Sequence, residues 1–219
     1  MNDGIRWRRF FVVVLADSHN PTLLNPDWLR STGIVPATWK PESERTVVTP
    51  VFAQVRYAQP RLRVTVQPER LEVVAGWEDG VDEEVVGVVS RYVATLPHVP
   101  YRAVGVNYEA TVAMAEPHCW VRDHLLRAER AYPDPTAIGV ELAWQSDSVK
   151  RTIAIAGDEA SAPAGEERAL LIKTNCHREV TASGAERASQ LAAFMSEVCK
   201  ERVWAAETAI KILMGERRT

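Results

Sequence analysis

Between Val51 and Trp77 apolar residues recur at every second position, the period of a strand with one buried face. Val51, Ala53, Val55 and Tyr57 fall on one side, with Phe52, Gln54 and Arg56 opposite. Leu62, Val64 and Val66 then alternate with Arg61, Arg63, Thr65 and Gln67, and Leu71, Val73, Ala75 and Trp77 form a third series. Pro60 and Pro68 sit in the two gaps, where a missing N–H costs the ladder nothing. A one-residue slip would turn a strand's apolar set toward solvent. The pattern therefore places Tyr57 opposite Leu62, Val55 opposite Val64, Val66 opposite Leu71 and Val64 opposite Val73. Turns at Ala58–Arg61 and Gln67–Arg70 satisfy this register, and an antiparallel three-stranded meander is expected. The same register sets Arg56 directly across from Arg63 on the outer face, with Glu72 diagonal to Arg63.

The pattern elsewhere alternates between strand and helix periods. Phe10–Leu15 reads as a first strand, followed by a long irregular stretch in which Asn25, Pro26 and Asp27 open a short helix that Gly33 stops. Leu23, Leu24, Trp28, Leu29 and Trp39 are available to pin that stretch. Asp82–Leu96 carries the stripe Val85, Val89, Tyr92 and Leu96, with Asp82, Glu83 and Glu84 at the positive end of the helix. Arg102–Glu116 is a long strand with Val104, Val106, Tyr108, Ala110, Val112 and Met114 on one face and smaller residues on the other. A helix follows from Pro117, anchored by Trp120, Leu125 and Leu126, up to the turn AYPDPT. Ile138–Trp144, Ile153–Ile155 and Arg168–Cys176 are three further strands, with Gly157–Glu167 as an acidic hairpin tip. Ser183 to Gly215 is helical, with stripes at Leu191, Phe194, Met195 and Val198, then at Val203, Ala206, Ile210 and Leu213. A continuous helix of ~30 residues would run ~45 Å. It is expected either to break near Lys200–Arg202 or to pack its far end on something else, such as a second copy.

The fold class that follows is α+β: antiparallel β-meanders packed against helices, with a long C-terminal helix. One domain over residues 1–219 is expected, divisible into subdomains at 1–132 and 133–219. Composition changes little in this picture. No apolar run approaches the ~18 residues of a membrane span, so no membrane partner is expected. A net charge of −3 provides no overall field to draw nucleic acid, which makes such a partner unexpected. Cys119, Cys176 and Cys199 are odd in number and far apart, which fits free thiols in a reducing, cytoplasmic compartment.

Three polar clusters are candidates for chemistry. Asp17 and His19 lie where the first strand gives way to loop, and Asp-x-His can ligate a metal or orient an imidazole. His118 and Asp123 belong to the helix after Pro117. There Cys119, though next to His118 in sequence, is expected to point away from it. Asn175, His177 and Glu179 share a strand face. No phosphate-binding loop, nucleotide fingerprint, nucleophile elbow or metal-ligand spacing is present, so neither cofactor nor metal is expected. The expected function is a protein-interaction or assembly component without enzymatic activity, engaging another protein or a second copy. One alternative is a hydrolase, with or without a metal ion, using Asp17 and His19 with His118, Asp123 or His177. A second alternative is an anion or nucleic-acid binder acting through Arg56, Arg61 and Arg63 on the sheet face.

Overall fold

The alternation at 51–77 folds as its period requires, into strands β3 (Ala53–Tyr57), β4 (Leu62–Gln67) and β5 (Arg70–Gly76). Ala53, Val55, Tyr57, Leu62, Val64, Val66, Leu71, Val73 and Ala75 are all buried. Tyr57 pairs with Leu62, Val55 with Val64, Arg56 with Arg63, Val66 with Leu71 and Val64 with Val73, all antiparallel. Two details differ from expectation. Val51 is 68% exposed and lies before the strand. The second turn is tighter, because Gln67 and Arg70 themselves pair and leave only Pro68 and Glu69 between them.

The computed structural model describes residues 4–126, 137–146, 148–158, 168–184 and 186–215. Besides the meander these form β1 (Ile5–Ala16), α1 (Pro26–Ser31), β2 (Val47–Val48), α2 (Val81–Thr95), β6 (Tyr101–Ala113) and α3 (Pro117–Trp120). Then come β7 (Ala137–Ser146), β8 (Val149–Asp158), β9 (Ala169–Glu179), α4 (Glu186–Met195) and α5 (Val198–Leu213). The protein is α+β, with one nine-stranded sheet in the order β2-β3-β4-β5-β1-β6-β9-β8-β7 among the described residues. AYPDPT and residues 159–167 of the acidic tip lie outside them. The chain divides into two compact units.

The larger unit spans Arg9–Asn107 and Cys176–Glu201. Its core joins the inward valines of the meander and of β1 to Val85, Val89 and Tyr92 of α2 and to Leu191, Phe194 and Met195 of α4. Full burial of a side chain of this size contributes about 1.5–3 kcal/mol relative to exposure. The irregular stretch after β1 is pinned from within. Leu24 and Leu29 are buried, Trp28 meets Tyr92 edge-on at 6.1 Å, and Trp39 meets Tyr57 at 5.5 Å. Helix α1 starts as read: the Asn25 side chain accepts from the Trp28 N–H at 2.9 Å, and Pro26 follows. Gly33, at φ 71, leaves the helix through the left-handed region. Asn25→Ala is expected to lower the unfolding free energy by about 1 kcal/mol, measured by urea denaturation. An unchanged midpoint would show that the cap carries no stability.

The second unit holds the described residues of Met1–Arg8, Tyr108–Asn175 and Arg202–Thr219. Ala110, Val121, Ile153, Ile155, Leu170, Ile172 and Ala209 form its core, with Trp7, Trp120, Leu125, Trp144 and Trp204 packed around them. Trp144 and Trp204 meet edge-on at 5.6 Å, and Arg151 lies over the Trp204 ring. Leu126, expected as an anchor, is instead exposed at the end of a widened helical turn, Val121–Leu126, that continues α3.

The C-terminal helix takes the first of its two expected courses and breaks, at Ser196–Glu197 rather than at Lys200–Arg202. Ser196 Oγ donates back to the Ala193 carbonyl at 2.7 Å, and the Glu197 N–H turns to Phe194 O, three residues back, so the α ladder is interrupted. The buried face runs on across the break at three- and four-residue spacing. Leu191, Phe194, Met195 and Val198 are buried as expected, but Val203 is 52% exposed. The inward positions of α5 are Glu201, Ala205 and Ala209 instead.

Candidate anion-binding groove

On a strand whose valines face the core, the intervening residues face out, and in this meander they include Arg56 and Arg63. Arg56 and Arg63 are direct cross-strand partners, and Arg63 pairs in turn with Val74 of β5. Two residue pairs further along, Gly76 faces Arg9 of β1, and its N–H donates to the Arg61 carbonyl at 3.3 Å. Two ladder rows result: Arg56–Arg63–Val74, and beside it Arg61–Gly76–Arg9. An open groove of about 710 Å³ lies over them. The segment before β2 forms its rim, where the Glu42 N–H donates to the Arg56 carbonyl and the Glu42 carboxylate pairs with Arg45 at 3.2 Å.

The charge in this groove is one-sided, with five arginines and a single acid, Glu42, among its lining residues. Glu72 lies beyond the groove in a smaller depression of about 350 Å³, where it binds Arg63 at 3.0 Å and also pairs with Arg70. Arg56 and Arg61 make no ion pair among the described residues. The Nε atoms of Arg56 and Arg63 are buried without a hydrogen-bond partner. Two like charges held ~6 Å apart repel by roughly 1–3 kcal/mol at water-like to surface-like screening.

The other candidate residues divide between the two units. In the larger unit Asp17 turns outward to Arg102 at 3.4 Å, with both side chains exposed. His19, two residues on, turns inward and is 3% exposed. Its Nδ1 lies 3.3 Å from the Tyr92 hydroxyl, and its ring packs between Tyr92 and Tyr101 at 6.0 Å from each. Nε2 is buried without a hydrogen-bond partner. Burial pushes His19 down from 6.5 to about 4, and the Val14 backbone pulls weakly the other way. Asp17 and His19 therefore diverge, so the Asp-x-His pair builds no site by itself. His177 is half-buried on β9, in phase with Asn175 and Glu179 as the alternation requires. The neighbouring Arg178 lies over the Phe194 ring at 4.5 Å.

In the second unit His118 and Asp123 part company. Asp123 is bound by its neighbour Arg122, which holds its carboxyl below the usual range. Cys119, expected to point away from His118, instead lies with its Sγ 3.3 Å from His118 Nε2. Adjacent residues on a regular helix point about 100° apart. This pair sits in the first turn of a four-residue helix that widens at Val121, where that rule does not apply. Among the described residues no group of three or more His, Cys, Asp or Glu is placed to hold a metal ion. No helix among them is long and apolar enough to cross a membrane.

Sequence reasoning named Arg56, Arg61 and Arg63 as a face, and the structure brings all three into one groove. It missed Arg9, Arg45 and Gly76. Arg9 reaches the site only because β1 pairs with β5 across some sixty residues of chain, a long-range pairing that no local pattern announces. No known family model matches the chain, and no curated protein matches it in sequence.

Proposed function

We propose that the arginine-bearing face of the larger unit receives an anionic partner, making this protein an interaction component whose specificity lies in that groove. One observation carries the reading: five arginines against one glutamate line a single groove, with buried Nε atoms left unpartnered. Arginine suits the role because its planar fork engages a carboxylate or phosphate through two parallel hydrogen bonds. The core residues beneath the groove are chiefly valines and leucines, so the fold does not rest on burying the arginines.

The reading is tested with a fluorescently labelled ten-residue polyglutamate peptide as probe. Binding at 50 mM salt is expected to weaken at least tenfold at 200 mM, as counterions screen the groove. The double variant Arg56→Glu/Arg61→Glu is expected to abolish it while leaving the thermal transition in place. No binding at low salt, or binding that survives the double charge reversal, would overturn the proposal.

A further inference from the structure

We infer that the groove is centred on a seat for one compact oxyanion of the phosphate class, held above Gly76 between Arg9, Arg61 and Arg63. The inference rests on the anion-binding reading and adds to it a place, a size and a chemistry.

The place follows from the ladder. Arg61 and Arg9 flank Gly76 on its two neighbouring strands, so two long cations stand either side of a residue with no side chain. Neighbouring strands are ~4.8 Å apart, which puts the flanking backbones ~10 Å from one another. A Cβ built at Gly76 meets no atom within 4 Å, so the space above it holds no protein. The next row, ~6.8 Å along the strand, adds Arg56 and Arg63, with Val74 as an apolar wall. The two rows together line the open groove with arginines on both sides of Gly76.

The size and chemistry follow from what such a lining can satisfy. A single carboxylate offers two oxygens and one charge to the arginines that line the groove. A phosphoryl group offers three strong acceptor oxygens and close to two charges. A nucleic-acid strand would need aromatic faces on which to stack its bases. The one aromatic lining the groove, Tyr57, turns its ring to Trp39 on the core side of the sheet.

Gly76 makes the seat separable from the charge. Its backbone is not in the left-handed region and it lies in a strand, so valine fits the fold and fills the space above it without altering any arginine. Isothermal titration with inorganic phosphate at 50 mM salt is expected to show one site in the wild type. Gly76→Val is expected to weaken it at least tenfold while the thermal transition stays in place. Gly76→Ala, a smaller filling, serves if the valine variant misfolds and is expected to fall between the two. Arg61→Ala is expected to weaken phosphate in parallel. A phosphoserine peptide of otherwise neutral sequence and a sugar phosphate separate the two sources of such a group; tighter binding of either than of inorganic phosphate supports the seat. If polyglutamate binds but phosphate binds no better than acetate, or if Gly76→Val binds phosphate as the wild type does, the seat is wrong and the groove stands. If neither probe binds, both are wrong.

Discussion

Acidification from pH 6.5 to pH 4 is expected to remove about 3 kcal/mol of stability through His19 alone. The ring is 3% exposed and wedged between Tyr92 and Tyr101, with Nε2 buried and unpartnered. Folding therefore favours the neutral form. The folded value lies at about 4, below the unfolded value near 6.5, so the unfolded chain takes up its proton first. The stabilising contribution is complete above pH 6.5 and is lost as pH falls through 4. Against a total of about 5–15 kcal/mol for an ordinary domain, the loss is large enough to show in any denaturation series. His19→Phe keeps the ring and removes the titration. At neutral pH it costs on the order of 1 kcal/mol, for the contact of the Tyr92 hydroxyl with Nδ1. Carboxylates titrate alike in both proteins, so the difference between the two urea series isolates His19. Parallel pH profiles for wild type and variant would show that the ring is not buried neutral.

The second large effect is expected at Gly157, where β8 passes the start of α3. A Cβ there would stand 2.4 Å from the backbone nitrogen of His118 and 2.4 Å from the carbonyl carbon of Pro117. Both obstacles are main chain, which cannot rotate aside as a side-chain tip can, so a whole element must shift. Overpacking of this kind costs about 1–3 kcal/mol, and the upper end is expected because nothing flexible lies in the path. Gly157→Ala should lower the thermal midpoint and push the Pro117–Leu126 segment off the sheet. Cys119, half-buried in that segment and 3.3 Å from His118 Nε2, reports the displacement directly. Its reaction with a thiol reagent should accelerate in the variant relative to exposed Cys199. Unchanged stability together with an unchanged Cys119 rate would mean that the two backbones do not approach this closely.

Both effects turn on residues whose sequence setting conceals them. His19 sits in ADSHNP, a run of turn formers, and reads as a polar loop residue beside Asp17. Its burial comes from Tyr92 and Tyr101, more than seventy positions away. Gly157 opens an acidic stretch of small residues and reads as part of a hairpin tip, yet it is a buried strand position. The second stripe of the C-terminal helix failed for a different reason. It restarts at Val203, five residues after Val198, whereas the buried face continues at three- and four-residue steps through Glu201, Ala205 and Ala209.

What the chain determined by itself is whatever depends on neighbours a few residues apart: the three meander strands, their register, and the outward arginines at 56, 61 and 63. Strand alternation has a period of two, so inside and outside are settled once one face is apolar, and short turns leave little choice of partner. Only the tertiary structure decided that β1 lies beside β5. That pairing carries Arg9 to the far side of Gly76 and completes the lining of the groove. Pairings between distant segments are set by how the whole core closes rather than by any local pattern, which is why a charged face was legible in the sequence and its shape was not.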